Sequence, residues 1–254
     1  MARYPKYSNV SYSFGPGPLS PAIKFLIIAN VAAFLLSSIV PQIIVRLGLM
    51  PAAVFTELAV WQPVTYMFLH GGIGHLLWNM LALWMFGTEL ERMWGTRFFT
   101  KYYFVTGVGA AATTLLWAVS PLPFADQMYY TTTIGASGAG YGVLLAYAMN
   151  FPHRPIYLYF VFPIPARVFV MIIGAITFYS SLAGGGGIAY TAHLGGLLVG
   201  YLYLKGLRIR PLDELKYRWL RWKMNRARGK FDVYSGGRRR DDDSWKSDWK
   251  KHIH

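Results

Sequence analysis

The stretch GASGAGYGVLLAYAMNF, residues 135–151, is an uncharged apolar run that opens on a hydroxyl, Ser137, set among glycines. Such a run fits a bilayer, where a helix needs about 20 largely apolar residues to cross the hydrocarbon. Reading outward from this window, taken as 136–152, five further runs of the same kind occur at 22–42, 73–92, 98–119, 166–182 and 188–205. The composition agrees with them. Of 254 residues, 54% are hydrophobic and only 14% charged, and the mean hydropathy is +0.32, too apolar for an ordinary soluble domain. The expected fold is an all-α membrane protein, a bundle of six transmembrane helices. Residues 1–21 would form an N-terminal segment, 22–205 the membrane domain and 206–254 a basic tail.

Charge sets the expected orientation, because Lys and Arg in short loops stay cytoplasmic. Arg3, Lys6 and Lys24 precede or begin the first window, Arg92, Arg97 and Lys101 follow the second, and Arg154 and Arg167 follow the fourth. The alternate loops hold only Arg46. Both termini are therefore expected in the cytoplasm, with the second, fourth and sixth spans starting at the outer face. The net charge of +14 arises largely in the tail, since sixteen of 25 Lys and Arg, against seven of 11 acids, lie from Lys205 onward. Residues 43–72, apolar and punctuated by Pro51 and Pro63 with Trp61 and Tyr66, read as a segment lying in the interface. Gly184–Gly187 predict a mobile loop. No basic head, apolar centre and cleavage site precede the first window, so no cleaved signal peptide is expected. No internal repeat suggests a transporter built from two related halves.

There is no cysteine, which excludes disulfides, thiolate metal sites and a thiol nucleophile. Chemistry must come from other polar residues inside the apolar windows, which are costly there and call for a functional explanation. Three clusters qualify. His70, His75 and Asn79 lie around the start of the second window, with His75 and Asn79 four residues apart on one helix face. Gly135, Ser137 and Gly138 open the fourth, with Tyr141 one turn below the serine, and His193 follows Ala192 near the start of the sixth. The charge-based orientation places all three near the outer face.

A serine and a histidine at one depth form a nucleophile and base if their helices approach closely. Gly138 with Gly142, and Gly196 with Gly200, supply the small-residue spacing that lets membrane helices meet backbone to backbone. His193 would take the Ser137 proton as the hydroxyl attacks a peptide carbonyl and return it to the leaving amine. Before the tail the acids are Glu57, Glu89, Glu91 and Asp126, and none is an obvious partner for His193. The expected site is a dyad, with Tyr141 packing against the histidine ring. His75, Asn79 and the backbone N–H of Ser137 at a helix N-terminus are the candidate oxyanion donors. Each residue also has a plainer reading. A serine in a membrane helix commonly bonds to the preceding turn, spaced glycines commonly serve packing alone, and a buried His or Asn can be interhelical glue or part of an ion path.

At this point the sequence resembles the rhomboid family over residues 22–205. His70, His75 and Asn79 match its His-x4-His-x3-Asn pattern, Gly135, Ser137, Gly138 and Gly142 its Gly-x-Ser-Gly-x3-Gly pattern, and Ala192, His193, Gly196 and Gly200 its Ala-His-x2-Gly-x3-Gly pattern. The resemblance implies an intramembrane serine protease with Ser137 and His193 as the dyad, His75 and Asn79 helping to form the oxyanion hole, and Tyr141 packing under His193. It further implies a water-filled site opening outward beneath a cap made by the fifth span and the Gly184–Gly187 loop. Substrates would be transmembrane proteins whose helices unwind at the outer end and are cut near small residues, with no metal, nucleotide or other cofactor. One departure is visible, since the family's Trp-Arg pair is missing from residues 43–72 and Trp61 is followed by Gln62. Inactive relatives usually lack the serine or the histidine; this chain keeps both. The expected home is a bacterial inner membrane.

In the tail, Pro211 begins a helix pattern with Asp213 and Glu214 in its first turn. Leu212, Leu215, Trp219 and Trp222 share a face amid Lys216, Arg218, Arg221 and Lys223, the pattern of a basic amphipathic helix on anionic lipid or of a solvated topology anchor. Beyond Gly229, Arg238–Arg240 against Asp241–Asp243 read as disorder, with little support for RNA binding. Two other function classes compete: a catalytically idle rhomboid-like protein that binds membrane clients, and a small transporter or channel using the histidines. The intact Ser137–His193 pair speaks against the first and the shortage of acids within the spans against the second.

Overall fold

The computed structural model describes residues 15–158, 161–183, 189–208, 219–224 and 226. Gly184–Gly187 lie outside the described residues, as do Pro211–Arg218 and everything beyond Arg226, including Gly229 and Arg238–Asp243. Helix α1, Pro21–Ile39, opens with proline at its first position, where no intrahelical N–H is lost. Three short helices follow, α2 Gln42–Leu47, α3 Pro51–Thr56 and α4 Gln62–Thr65, running into a single 3-10 turn, Tyr66–Phe68. The second long helix is α5, Ile73–Ala82, continued through a π turn at Leu83–Gly87 into α6, Thr88–Trp94. Gly95, at φ +81°, turns the chain directly into α7, Thr96–Ala118. A short α8, Ala125–Tyr129, leads to α9, Ser137–Asn150. The last two long helices are α10, Ala166–Ala183, and α11, Ala189–Arg208.

The fold is all-α as expected, with one short exception. Between α9 and α10 the chain forms an antiparallel hairpin of β1, Pro155–Leu158, and β2, Phe162–Pro165, with Ile156 opposite Ile164. Proline at 152, 155, 163 and 165 cannot continue a helix, and the Ile, Tyr and Phe between them favour extended backbone. By length and hydropathy alone, one described helix, α1, with a mean hydropathy of 2.1, is apolar enough to cross a bilayer.

Helix α7 is the centre of the bundle and buries Phe99, Tyr102, Tyr103, Thr106, Ala110 and Thr114. It packs most extensively on α9. Two tyrosine hydroxyls donate to helix carbonyls across this core: Tyr66 to Gly107 O at 2.7 Å and Tyr102 to Gly142 O at 2.7 Å. Helices α9 and α11 meet at their glycines. A Cβ at Gly196 would stand 1.9 Å from the Gly138 carbonyl oxygen, and one at Gly200 would stand 3.3 Å from the Gly142 Cα. The segment 43–68 is pinned by polar bonds under an apolar exterior. Gln62, buried, accepts from Met50 N at 2.9 Å, Trp61 Nε1 donates to Arg46 O at 2.9 Å, and Thr65 Oγ1 donates to Leu47 O at 2.6 Å. Phe55, Leu58, Val60 and Trp61 remain exposed on its surface.

The end of the second helix carries a set of ties that the sequence patterns do not announce. Buried Glu91 accepts from Ser20 Oγ, from Ala22 N at 2.9 Å, from Ile23 N at 3.1 Å and from Thr96 Oγ1 at 2.7 Å. Its carboxylate thus caps the N-terminus of α1, where the helix leaves N–H groups without intrahelical acceptors. Arg92 donates to the carbonyls of Pro16 and Pro18, and Trp84 Nε1 donates to Gly17 O at 3.1 Å. Arg154, ahead of the hairpin, forms an ion pair with Glu89. Residues 208–254 form a separate unit, in which 219–224 are helical and Trp219 and Trp222 are exposed. There Lys223 Nζ sits 5.1 Å from the Trp219 ring and Arg226 Cζ 4.9 Å from the Trp222 ring.

Two stability outcomes follow from these contacts. Glu91→Ala removes four acceptor interactions and is expected to cost about 2–4 kcal/mol, read as a lower unfolding temperature or lost folded yield in detergent. Gly196→Ala forces α9 and α11 apart and is expected to cost about 1–3 kcal/mol in the same assay. Gly140→Ala is the control, because a Cβ there meets nothing within 4 Å.

Candidate active site

The turn that presents Ser137 depends on Gly135. Its φ of +126° disfavours any side chain, and a Cβ there would stand 2.9 Å from Cε1 and Nε2 of His75. The Gly135 N–H donates to Tyr66 O at 2.9 Å, fixing the turn to the end of the 43–68 segment. Ser137 is then the first residue of α9, where the helix leaves backbone N–H groups available to an incoming oxygen. Gly138, next in line, is buried with its missing side chain replaced by neighbours: a Cβ would lie 2.7 Å from Ala110 Cβ and 3.1 Å from the Tyr66 hydroxyl.

His193 comes from the opposite helix, α11, and its Nε2 lies 2.7 Å from Ser137 Oγ. The ring stacks on Tyr141 with centroids 4.1 Å apart and planes inclined by 6°, and the edge of Tyr190 closes another side at 6.1 Å. His193 Nδ1 is buried with no hydrogen-bond partner among the described residues. The ring is therefore held by stacking, with no carboxylate bonded to it among the described residues.

His75 and Asn79, from α5, face Ser137 and His193 across a cavity of about 290 Å³. The Gly71 N–H points at His75 Nδ1 at 3.5 Å, and Nε2 lies on the Gly135 side, where a proton on it would face the cavity. Asn79 Nδ2 donates one hydrogen to His75 O at 2.8 Å and keeps a second amide N–H. His70 does not line the cavity. It is buried behind His75, ring centroids 4.9 Å apart and edge to face, with both ring nitrogens unpaired among the described residues. The cavity continues past the polar groups along Ala82, Phe86, Gly140 and Leu144. Sequence reasoning missed this floor, since apolar or absent side chains in an apolar span carry no signal. It also missed Tyr190. Among the described residues no group of three or more His, Asp or Glu is arranged to hold a metal ion.

Comparison with known proteins gives a consistent picture. A family model described as Rhomboid domain matches residues 57–210. Rhomboid protein 1, mitochondrial, of Saccharomyces cerevisiae is 36% identical over 138 residues, covering 54% of this chain and 38% of that protein. Rhomboid protease GluP of Bacillus subtilis is 33% identical over 142 residues, covering 56% of this chain and 25% of that protein. Rhomboid protease AarA of Providencia stuartii is 27% identical over 159 residues, covering 56% of this chain and 54% of that protein. The alignments thus span from a quarter to about half of these relatives' own length. With the family model covering more than half of its length, this chain belongs to the rhomboid family and is an integral membrane protein.

Proposed function

We propose that this protein is an intramembrane serine endopeptidase that cleaves transmembrane proteins near the outer face through a Ser137–His193 dyad. The observation that carries the reading is the 2.7 Å contact between His193 Nε2 and Ser137 Oγ at the wall of a cavity. That distance is within reach for proton transfer, and the acceptor ring is already oriented by Tyr141. Ser137 Oγ attacks the scissile carbonyl as its proton passes to His193. The negative charge on the carbonyl oxygen is met by Nε2–H of His75, the second amide N–H of Asn79 and the N–H of Ser137. The protonated His193 then donates to the leaving amine, and a water repeats the sequence on the acyl enzyme. Two relatives that carry the name protease, GluP and AarA, support the same reading. The presence of both Ser137 and His193 speaks against the idle client-binding alternative.

Six bilayer crossings with both termini on the cytoplasmic side follow from the apolar windows and the Lys and Arg distribution. Relatives from Bacillus subtilis and Providencia stuartii favour a bacterial membrane, whereas two others, from Saccharomyces cerevisiae and Arabidopsis thaliana, bear mitochondrial names. The fifth span, α10, forms the side entrance. The exposed Trp219 and Trp222 beside Lys223 and Arg226 suit an anionic lipid surface, where aromatic rings sit at head-group level and cations meet lipid charge.

The test is cleavage of a single-span membrane protein by the purified chain in liposomes. Ser137→Ala and His193→Ala are each expected to reduce the rate by more than about 10³-fold. Asn79→Ala should lower kcat by about 10²-fold, the range for one oxyanion donor. A folded wild-type chain that leaves several substrates uncut, and whose client binding is unaffected by Ser137→Ala, would favour the idle reading.

A further inference from the structure

A second cavity, of about 470 Å³, lies at the other end of the second helix, between that helix, α9 and the start of the hairpin. Its walls include Met85, Phe86 and Ile156, and its charged lining groups are Glu89 and Arg154. Phe86, set edge to face on Tyr147 with centroids 5.0 Å apart, also lines the Ser137 cavity, so the two spaces share a wall residue. The volume falls in the range of sites that take a small organic group, and a transmembrane helix about 10 Å across is too wide to be enclosed by it.

The charged rim narrows the choice of occupant. The Arg154 guanidinium is fixed over the Phe151 ring, 4.6 Å from its centroid. Its contacts to Glu89 and to the Tyr147 hydroxyl, the latter at 3.5 Å, both use Nη1. The side chain is 46% exposed, and neither of these contacts uses the N–H groups on Nε and Nη2. Glu89, 26% exposed, pairs through Oε2 and retains Oε1. A simple anion at this rim would meet the Glu89 carboxylate, and a simple cation would meet Arg154. A head group carrying both charges satisfies each partner. Phosphate matches the guanidinium fork, and a primary ammonium matches the carboxylate.

We infer that this cavity is a binding site for a zwitterionic phospholipid with a phosphoethanolamine head. The phosphate lies on Arg154, the ammonium on Glu89, and the upper part of one acyl chain runs along Met85, Phe86 and Ile156. The inference rests on the proposed position of this end at a bilayer surface. It makes the lipid a wedge beneath Phe86, the floor of the Ser137 cavity.

The test uses the full chain in nanodiscs containing phosphatidylethanolamine with a photoactivatable group high on one acyl chain, or a matched phosphatidylglycerol, with labelled residues mapped by mass spectrometry. Labelling at Met85 or Ile156 is expected to favour the ethanolamine lipid by about tenfold, equivalent to one charge-assisted contact. Ile156→Trp, which fills the cavity, should remove the label. Glu89→Gln should abolish the preference between the two lipids, and it keeps the test decisive if Ile156→Trp does not fold. Excess soluble glycerophosphoethanolamine should not displace the label; displacement would mean that a free head group, and not a lipid, is the ligand. Equal labelling by both lipids, labelling spread over outward-facing Ile28, Leu35 and Ile176, or a label indifferent to Ile156→Trp would overturn the site. The readout needs no cleavage. Failure of the protease reading therefore leaves the lipid result interpretable, and a chain that cuts substrate without taking the label loses only the lipid site.

Discussion

Everything at the Ser137 site depends on two helix backbones coming closer than side chains ordinarily permit. The Gly138 carbonyl oxygen occupies the space where a Gly196 side chain would begin, 1.9 Å from the ideal Cβ position. Within a bilayer there is no hydrophobic gain in bringing two apolar helices together, so association rests on packing and on hydrogen bonds across the interface. This bundle uses both. Tyr102 reaches from α7 to the Gly142 carbonyl of α9, and Tyr66 reaches to that of Gly107 on α7, each at 2.7 Å. Glycines remove the bulk that would hold α9 and α11 apart, and tyrosines tie α9 and the 43–68 segment to the central helix. The distance between Ser137 and His193 is the result of that packing.

The same economy governs how His193 is oriented. A buried carboxylate behind the ring would bring a desolvation cost that its attraction to a transient imidazolium repays only with good geometry and further hydrogen bonds. The chain instead stacks the ring on Tyr141, nearly parallel at 6°, and closes its edge with Tyr190. Stacking restrains the ring's rotation without placing a carboxylate beside it. In the proposed mechanism Nε2 accepts the Ser137 proton, so the cost falls on the buried Nδ1–H, which has no partner among the described residues.

How far the sequence reveals this structure follows from what each residue costs in lipid. Ser137, His193, His75 and Asn79 are polar atoms in apolar windows, and their expense makes them conspicuous; the fold brings all four to one cavity. His70 is equally conspicuous and lies behind the site. The cavity floor was invisible because it is made by what is missing, with Gly140 and Ala82 leaving room. The hairpin between α9 and α10 lay hidden in a loop whose prolines signal only that a helix stops. The ties of Glu91 and Arg92 to residues 16–23 were unreadable for a different reason. Most of their partners are backbone groups, which every residue carries and no pattern marks. The absent Trp-Arg pair shows the converse, since Trp61 and Gln62 instead bond to backbone groups of Arg46 and Met50 and hold the segment by another route.

The distribution of charge divides the molecule into two mechanical halves. The Ser137 site contains polar groups without an acid or a basic amine, whereas Glu89, Glu91, Arg92 and Arg154 gather at the far end of the second helix. Ion pairs and capped helix ends are tolerable there because that end of each helix is where the chain leaves the apolar run. They also make that end stiff. The first residues of α10 are held by Ala166 N to Arg154 O at 2.9 Å and Arg167 N to Pro152 O at 3.2 Å, and Arg154 is itself tied to Glu89. The far end of α10 carries exposed Phe178, Tyr179 and Leu182, and none of the residues lining the Ser137 cavity comes from this helix. Its buried Thr177 meets the Tyr141 hydroxyl, so this helix touches the site through the ring that stacks on His193. The dyad itself is carried by α9 and α11, locked through their glycines, so those two helices set the 2.7 Å contact and α10 bears on it through Tyr141.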